Sequence, residues 1–194
     1  MTQVPTTRER IVEAAVAMTT ESGWSGVTMG ALADRVGVSR QTVYNEVGSK
    51  EGLAEAVILR ELARFLTVVS DAFDRHPPGG RPDDLVDAIR AATYGVLELA
   101  QDNKLLHAVV SATHGADTEL LPLLTTHSHS LLTVAKQVVT ERVAPYDIGL
   151  DGPHLDVAID VVVRVVLSHV MQPTAPPAET ADGIAWLAGR ALRG

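Results

Sequence analysis

Polar side chains that suit contacts to DNA recur between residues 28 and 50. The candidates are Thr28, Ser39, Arg40, Gln41, Thr42, Tyr44, Asn45 and Lys50. Arginine pairs well with guanine in the major groove, glutamine pairs with adenine, and threonine offers both a hydroxyl and a methyl group. Groups such as those of Tyr44 and Lys50 suit phosphates, which fix the register of a protein on the duplex without reading its sequence. The predicted chemistry is therefore recognition of double-stranded DNA.

Two short helices would hold these side chains in place. Thr28 can accept a hydrogen bond from the free amides that begin one helix, and Ser39 can do the same for the next. Gly37 can adopt the left-handed conformation that ends the first of these helices after Val36. The second is expected to run to about Asn45. Two helices joined by a short glycine-containing turn form a helix-turn-helix, whose second helix meets base edges with its N-terminal end.

Apolar residues at helical spacing support the same unit. Leu32, Ala33 and Val36 of the first helix can pack against Val38 and Val43 of the second. The small side chain of Ala33 lets the two helices cross closely. The alternative is an ordinary helical hairpin inside a hydrophobic core. Two caps, a turn glycine and suitable helix lengths occur together, and this coincidence favours the helix-turn-helix.

The remainder of the chain is also predicted to be helical, because apolar residues recur at spacings of three and four and strand signals are weak. Thr6 or Thr7 is expected to begin the first helix, which Gly23 ends at a left-handed cap. The valine-rich run at 161–166 could be a buried strand, but its length and the lack of partner strands favour a buried helix. Later helices, with Ser49 and Asp102 as caps for two of them, are expected at about 49–75, 83–100, 102–113, 117–143, 154–171 and 178–192, separated by loops at 76–82, 145–153 and 173–177.

The composition is that of an ordinary globular protein, with 46% hydrophobic and 21% charged residues. The chain contains no cysteine, which excludes a disulfide framework and thiolate metal sites and fits a reducing compartment. No signal-peptide pattern is present at the N-terminus, and the most apolar stretch, 157–171, is shorter than a membrane span and carries charges. We therefore expect a cytoplasmic protein that does not associate with membranes.

The negative charge of the chain lies outside its N-terminal quarter. The net charge is −8, yet residues 1–50 balance five basic against five acidic residues. This distribution permits DNA binding by the N-terminal segment without being evidence for it. Arg8 and Arg10 either touch DNA from an N-terminal arm or are solvated charges, and the sequence leaves both interpretations open.

The segment closely resembles the signature of the TetR family of transcriptional regulators. The resemblance is specific over about residues 8–60, and it is carried by the pattern Thr28-x-x-x-Leu32-Ala33-x-x-Val36-Gly37-Val38-Ser39-x-x-Thr42-Val43-Tyr44-Asn45-x-Val47-x-Ser49-Lys50-x-x-Leu53. Asn45 stands where the family usually has histidine, and it can still donate to a phosphate. Val47 stands where the family usually has phenylalanine, so we expect looser packing of the third helix on the fourth. The stretch 43–66 is also similar to actinobacterial TetR-type regulators of alkane and fatty-acid oxidation genes.

The resemblance implies a three-helix DNA-binding domain at residues 1–48 and a larger helical domain at 49–194 that dimerises and binds an effector. The apolar helices at 154–171 and 178–192 are candidates for the dimer interface, the alternative being burial within one monomer. A symmetric dimer implies a palindromic operator. Candidate effector-binding residues, each of which could instead be plain core or a satisfied histidine, are Leu62, Leu66, Tyr94, Leu97, Leu106, His107, Val110, His114, Leu124 and Leu131.

The scarcity of aromatic residues favours a small apolar effector, such as a fatty acid or an acyl compound, over a planar cationic molecule. No histidine pair stands at the spacing that would hold a metal on one helix face, and we expect neither a metal nor a cofactor. Phosphate-binding loops and a nucleophile elbow are missing from the sequence, so a small helical enzyme is a remote alternative. The sequence predicts a repressor released from its operator by an effector, the alternatives being an activator and a constitutive DNA-binding protein.

Overall fold

The computed structural model describes residues 4–79, 81, 83–107 and 128–192, and every regular element in these ranges is helical, which confirms the predicted all-α fold. Residues 104–107 are also helical. The elements, in chain order, are α1 (Thr7–Ser22), a 3₁₀ turn (Trp24–Gly26), α2 (Met29–Val36), α3 (Arg40–Val47), α4 (Lys50–Arg75), α5 (Asp84–Gln101), α6 (Ser128–Val143), α7 (Gly152–Met171) and α8 (Pro177–Leu192).

These elements form two compact units. The first contains the chain up to Glu61 together with the segment that begins at Asn103, and the second contains Leu62–Asp102 and the chain from His129 onward. The long helix α4 therefore contributes its first turns to one unit and its later turns to the other. The expected division into domains at residue 48 stays a prediction.

The core of the first unit joins α1, α2, α3 and the first turns of α4. Ile11 of α1, Leu32 of α2, Val43 of α3 and Leu53 of α4 are completely buried and belong to one apolar cluster. Burying a side chain of this size contributes roughly 1.5–3 kcal/mol, so each helix is fixed to the others mainly through this cluster. Val47 lies in the same cluster and is also buried, on the side of α3 that faces the protein.

Local caps set the ends of α1 and α2 as the sequence predicts. Thr6 begins α1 with a capping box, in which its hydroxyl accepts from the amide of Glu9 and the carboxylate of Glu9 accepts from the amide of Thr6. Thr28 accepts from the amide of Ala31, and Gly37 ends α2 with the left-handed angles φ 75° and ψ 41°. Gly23 has φ 78° and ψ 165°, so its predicted left-handed cap is wrong in ψ although a positive φ is required there.

Two predicted boundaries move by two residues. Helix α3 reaches Val47 rather than Asn45, since the next residue with a positive φ is Gly48. Helix α7 begins at Gly152 rather than His154, because Asp151 is its N-cap. The boundary of α4 agrees with the prediction, and the hydroxyl of Ser49 accepts from the amide of Gly52 at 3.2 Å.

Asn103, and not Asp102, caps the helical segment 104–107. Its side-chain oxygen accepts from the amide of Leu106 at 2.9 Å, while its side-chain nitrogen donates to the buried carboxylate of Glu61 on α4 at 2.8 Å. The predicted continuation to Thr113 and the expected helical region from Asp117 to residue 127 lie outside the described residues.

The second unit is built on the packing of α5 against α8. One apolar cluster contains Phe73 of α4, Leu85 of α5 and Tyr146, whose ring meets that of Phe73 edge to face. A second cluster contains Ala135 of α6 with Ile159 and Val163 of α7. The valine-rich run is therefore helical, as predicted. None of the described helices is both long enough and apolar enough to cross a membrane.

Candidate nucleic-acid interface

Helix α3 buries one face and leaves the other in solvent. Val43 and Val47 are buried in the core of the first unit, whereas Tyr44 has 43% of its surface exposed. The other exposed side chains of the helix include Arg40, Gln41 and Asn45. Because Val43 and Val47 anchor the helix in the core while residues 40, 41, 44 and 45 stay exposed, α3 can offer polar groups outward.

The start of α3 is fixed by Ser39. Its hydroxyl accepts from the amide of Thr42 at 3.0 Å and lies 2.8 Å from the hydroxyl of the same residue. Thr42, which is partly buried, is thus tied to the cap. The first amides of a helix carry a partial positive charge, which favours an anionic group beside this end.

The N-terminus of α2 and the side chain of Arg40 share one surface. A Cβ atom added to Gly30 would lie 3.8 Å from the Nε of Arg40 and 4.0 Å from the hydroxyl oxygen of Thr28. Both side chains are exposed. Two expected DNA-binding residues that are 12 positions apart in the sequence are therefore brought together by the crossing of α2 and α3.

Gln41 and Asn45 are hydrogen-bonded to each other. The side-chain nitrogen of Gln41 donates to the side-chain oxygen of Asn45 at 2.9 Å. Residues four apart lie one turn above each other on a helix, so the pair occupies one strip of the exposed face of α3.

Lys50, the first residue of α4, lies over the ring of Trp24, with 5.7 Å from its ammonium nitrogen to the ring centroid. Only 4% of Trp24 is exposed, so the ring is a fixed platform. A cation attracted to an aromatic face gains about 0.5–1 kcal/mol at an exposed site. Sequence pattern alone does not predict this role for Trp24, because the local signal is no more than an aromatic residue directly after the helix-ending Gly23.

Arg8 and Arg10 bind the ends of the helix-turn-helix. Arg8 donates through Nη1 to the carbonyl of Glu46 in the last turn of α3, and Arg10 donates through Nη2 to the carbonyl of Val36 at 2.5 Å. The last carbonyls of a helix lack partners within it and carry partial negative charge, so guanidinium groups suit them. Each of these exposed side chains therefore has a partner within the protein, and their contact with DNA stays a prediction.

A third arginine also joins the first two helices. Arg35 of α2 makes two parallel hydrogen bonds of 2.6 Å to the carboxylate of Glu21 on α1. These bonds hold the pKa of the Glu21 carboxyl below its ordinary value, because they stabilise its charged form.

A groove of about 620 Å³ lies in the first unit between the start of α1 and α4, and it is not the expected effector site. Its charged groups are bonded within the protein, since Glu9 completes the cap of α1 and Arg60 pairs with Glu13 at 3.5 Å. The residues that line it are Val4, Pro5, Thr6, Arg8, Glu9, Val12, Glu13, Ala56, Leu59 and Arg60.

The expected effector-binding residues are divided between the two units. Leu106 and His107 belong to the first unit, whereas Leu62, Leu66, Tyr94, Leu97 and Leu131 belong to the second. The remaining three, Val110, His114 and Leu124, lie outside the described residues. The effector-binding assignments therefore stay predictions.

Leu97 and Tyr94, two of the expected effector-binding residues in the second unit, differ in their exposure to solvent. Leu97 is buried, while Tyr94 is 40% exposed and donates from its hydroxyl to the carboxylate of Glu98 at 2.6 Å. This hydrogen bond to a neighbouring anion raises the pKa of Tyr94. Leu66 packs against the cluster of Ala135 and Ile159.

Two histidines in the described ranges each lie near one polar side chain. His154 lies 2.6 Å from the carboxylate of Asp151, and His169 lies 3.4 Å from the hydroxyl of Thr174. Among the residues that the structure describes, no three potential metal ligands lie together.

Two known families of sequence match this chain. Residues 11–57 match the family described as "Bacterial regulatory proteins, tetR family", and residues 84–190 match "Bacterial Tetracyclin repressor, C-terminal domain". The first match contains the whole helix-turn-helix, and the second covers more than half of the chain.

Similar proteins include named regulators. The HTH-type transcriptional regulator AlkX of Mycobacterium tuberculosis is 26% identical over 181 residues, which are 93% of this chain and 82% of that protein. The HTH-type transcriptional repressor KstR of Rhodococcus jostii is 29% identical over 110 residues, or 57% of this chain and 49% of that protein.

One similar crystal structure superposes on this chain along nearly the whole length of both proteins. The TetR family repressor AlkX from Dietzia sp., implicated in biodegradation of n-alkanes, superposes with a TM-score of 0.73 and 27% identity over 96% of this chain and 95% of that one. TetR-family regulators typically bind DNA operators as dimers and bind ligands. The matches confirm that the chain is an HTH-type transcriptional regulator rather than an enzyme. The chain belongs to the TetR family of bacterial transcriptional regulators.

Proposed function

We propose that this protein is a repressor that binds a palindromic operator as a homodimer and leaves it when a small apolar effector binds. The observation that carries the proposal is the division of α3 into a buried valine face and an exposed polar face. In a helix-turn-helix such a second helix enters the major groove with its N-terminal end. The exposed side chains of that end are of the types that pair with base edges.

The proposed contacts fall into two groups. Arg40, Gln41 and Thr42 meet base edges, and Tyr44 and Lys50 hold phosphates. Thr28 and Ser39 lie at helix starts, where amides favour phosphate oxygens. Lys50 is supported in this role by its place over Trp24, which restricts a side chain that would otherwise sample many rotamers.

The proposed dimer interface is formed by α7 and α8. Both helices carry large exposed apolar side chains, among them Val157 and Trp186, each 62% exposed, and Val161 and Leu187. Apolar surface of this kind contributes about 25 cal/mol per Å² when it is removed from water. Two such helices from each of two subunits would form a four-helix interface and place the recognition helices about a two-fold axis.

The proposed effector is aliphatic, such as a fatty acid or an acyl compound, and it binds in the C-terminal domain predicted at residues 49–194. Support comes from the leucine- and valine-rich walls expected there and from the similarity to AlkX of Dietzia, a repressor implicated in n-alkane biodegradation. An effector acts only through its different affinity for the two states of the protein. Helix α4 extends through both units, so a shift of α4 is the proposed means of release, and the protein acts in the cytoplasm, where bacterial DNA lies.

A binding measurement tests the repressor proposal. Duplex DNA from upstream of the protein's own gene is titrated with the purified chain at increasing salt, with a shuffled duplex of equal composition as the control. We expect tight binding to the upstream duplex alone, falling steeply with salt, and release by long-chain acyl compounds. Equal affinity for both duplexes would contradict the proposal, and loss of transcription in a deletion strain would indicate an activator instead.

A further inference from the structure

We propose that Asn45 orients the side chain of Gln41 so that each recognition helix reads an adenine. The inference rests on the proposed binding of α3 to DNA. It starts from the hydrogen bond of 2.9 Å between the side-chain nitrogen of Gln41 and the side-chain oxygen of Asn45. Both side chains are exposed on α3, so the pair lies on the surface that would enter the groove.

The hydrogen bond settles which part of the glutamine amide remains for a base. A glutamine amide has two N–H donors and one carbonyl acceptor. The proposal assigns to Asn45 the N–H that lies trans to the carbonyl oxygen of Gln41, which leaves the cis N–H and the carbonyl oxygen together on one edge of the planar amide. That edge matches adenine, whose N7 accepts and whose N6 amino group donates in the major groove.

The same orientation disfavours guanine. Guanine offers two acceptors in the major groove, N7 and O6, and therefore needs two donors from the protein. An amide whose second N–H is held by Asn45 would place its carbonyl oxygen against O6. A glutamine without a partner could rotate about its last bond and adapt, so Asn45 is expected to act on the discrimination between bases.

Asn45 is therefore a positioning residue and not primarily the phosphate contact that its place in the sequence suggests. A side-chain pair at this spacing on a helix favours its own geometry by about 1.4- to 2.3-fold. A palindromic operator presents the base twice, so the effect on the preference of a dimer is roughly two- to fivefold. The base contact of Gln41 itself is worth roughly five- to 150-fold.

The test is a selection from a pool of DNA duplexes with a randomised core, sequenced before and after binding to the purified chain. The wild-type protein is expected to enrich adenine at one position in each half-site. Gln41→Glu identifies that position, because a carboxylate there prefers the amino group of cytosine. Circular dichroism and elution volume check that each variant is folded and assembled as the wild type is.

Two variants of Asn45 separate orientation from contact. Asn45→Asp keeps an acceptor for Gln41 and adds a negative charge, so adenine preference persists while affinity falls for every duplex. Asn45→Leu keeps the size and removes the acceptor, so adenine preference at the Gln41 position, taken over both half-sites together, falls two- to fivefold and preferences elsewhere stay unchanged.

Two kinds of failure are distinguishable. If the wild-type chain enriches no sequence at all, the proposed function fails and the inference fails with it. If the chain selects an operator but Gln41→Glu shifts no position, or Asn45→Leu leaves the adenine preference at its wild-type value, the inference alone is overturned. Equal losses of preference in the Asp and Leu variants would also overturn it.

Discussion

Arg10 on α1 donates a hydrogen bond of 2.5 Å to the backbone carbonyl of Val36, the last residue of α2 and 26 positions away in the sequence. Arg8, two residues earlier in the chain, makes the corresponding contact to Glu46 near the end of α3. The first helix thus holds both helices of the helix-turn-helix at their C-terminal ends. Neither of these two contacts involves the N-terminal end of α3, where DNA recognition is proposed.

Replacing Arg10 by methionine should destabilise the first unit. The variant keeps most of the apolar stem but removes the hydrogen bond to Val36, and we expect a decrease of about 0.5–1.5 kcal/mol in the free energy of unfolding. Urea denaturation at one protein concentration measures it. Arg75→Met is the control, because Arg75 bonds the carbonyl of Asp71 in its own helix, and equal decreases in both variants would argue against a special role for Arg10.

Lys50→Met should lower DNA affinity for all sequences and reduce its salt dependence. Removing one phosphate contact lowers the slope of log affinity against log salt by roughly 0.9. The slope is measured by fluorescence anisotropy on a labelled duplex. Lys136→Met in the second unit, where Lys136 pairs with Asp160, is the control and should keep the wild-type slope. An unchanged slope for Lys50→Met would remove Lys50 from the phosphate contacts.

Tyr44→Phe should weaken binding to operator and non-operator duplexes by the same factor. The phenol hydroxyl is the group proposed to donate to a phosphate, and a hydrogen bond to a charged group is worth about 1.5–3 kcal/mol. The ring and its packing are retained, so the fold should be unaffected. The affinities of wild type and Tyr44→Phe are measured on two duplexes of unrelated sequence. A loss of affinity for only one of them would mean that Tyr44 reads a base.

Charge placed on α8 should break the dimer. Trp186→Glu puts a carboxylate at an exposed apolar position of the proposed interface, where it would lose its hydration. Analytical ultracentrifugation should show monomers and a matching decrease in operator affinity. Val134→Glu on α6 alters another exposed apolar residue and should leave the assembly intact. If the Trp186→Glu variant remained a dimer, the interface would have to lie elsewhere on the protein.

Acid should remove the stabilisation that Glu21 and Arg35 provide. The folded pKa of Glu21 lies below the ordinary value of 4.5, so its contribution is present above pH 4.5 and is lost as the pH falls through the folded pKa. The difference in melting temperature between wild type and Glu21→Gln should therefore shrink on acidification. In an Arg35→Met background the difference should be small at every pH, and a difference that persisted there would assign the effect to another partner.

Signals that act within a few residues were sufficient to predict most of the helix ends. Thr6, Thr28 and Ser39 cap the helices that follow them, and Gly37 ends α2, because each satisfies or terminates a backbone that lies next to it in the chain. Apolar spacing then indicated which faces of α2 and α3 meet. The helix-turn-helix and the family resemblance follow from these local patterns alone.

Contacts between distant residues were decided only by the tertiary structure. Long side chains such as those of Arg8 and Arg10 can reach several partners, and which carbonyl each meets depends on how three helices cross. The place of Lys50 over Trp24 likewise requires the start of α4 to return to the turn that follows α1. Periodicity determines which face of a helix is apolar, whereas the crossing of helices determines which polar groups come within hydrogen-bonding distance.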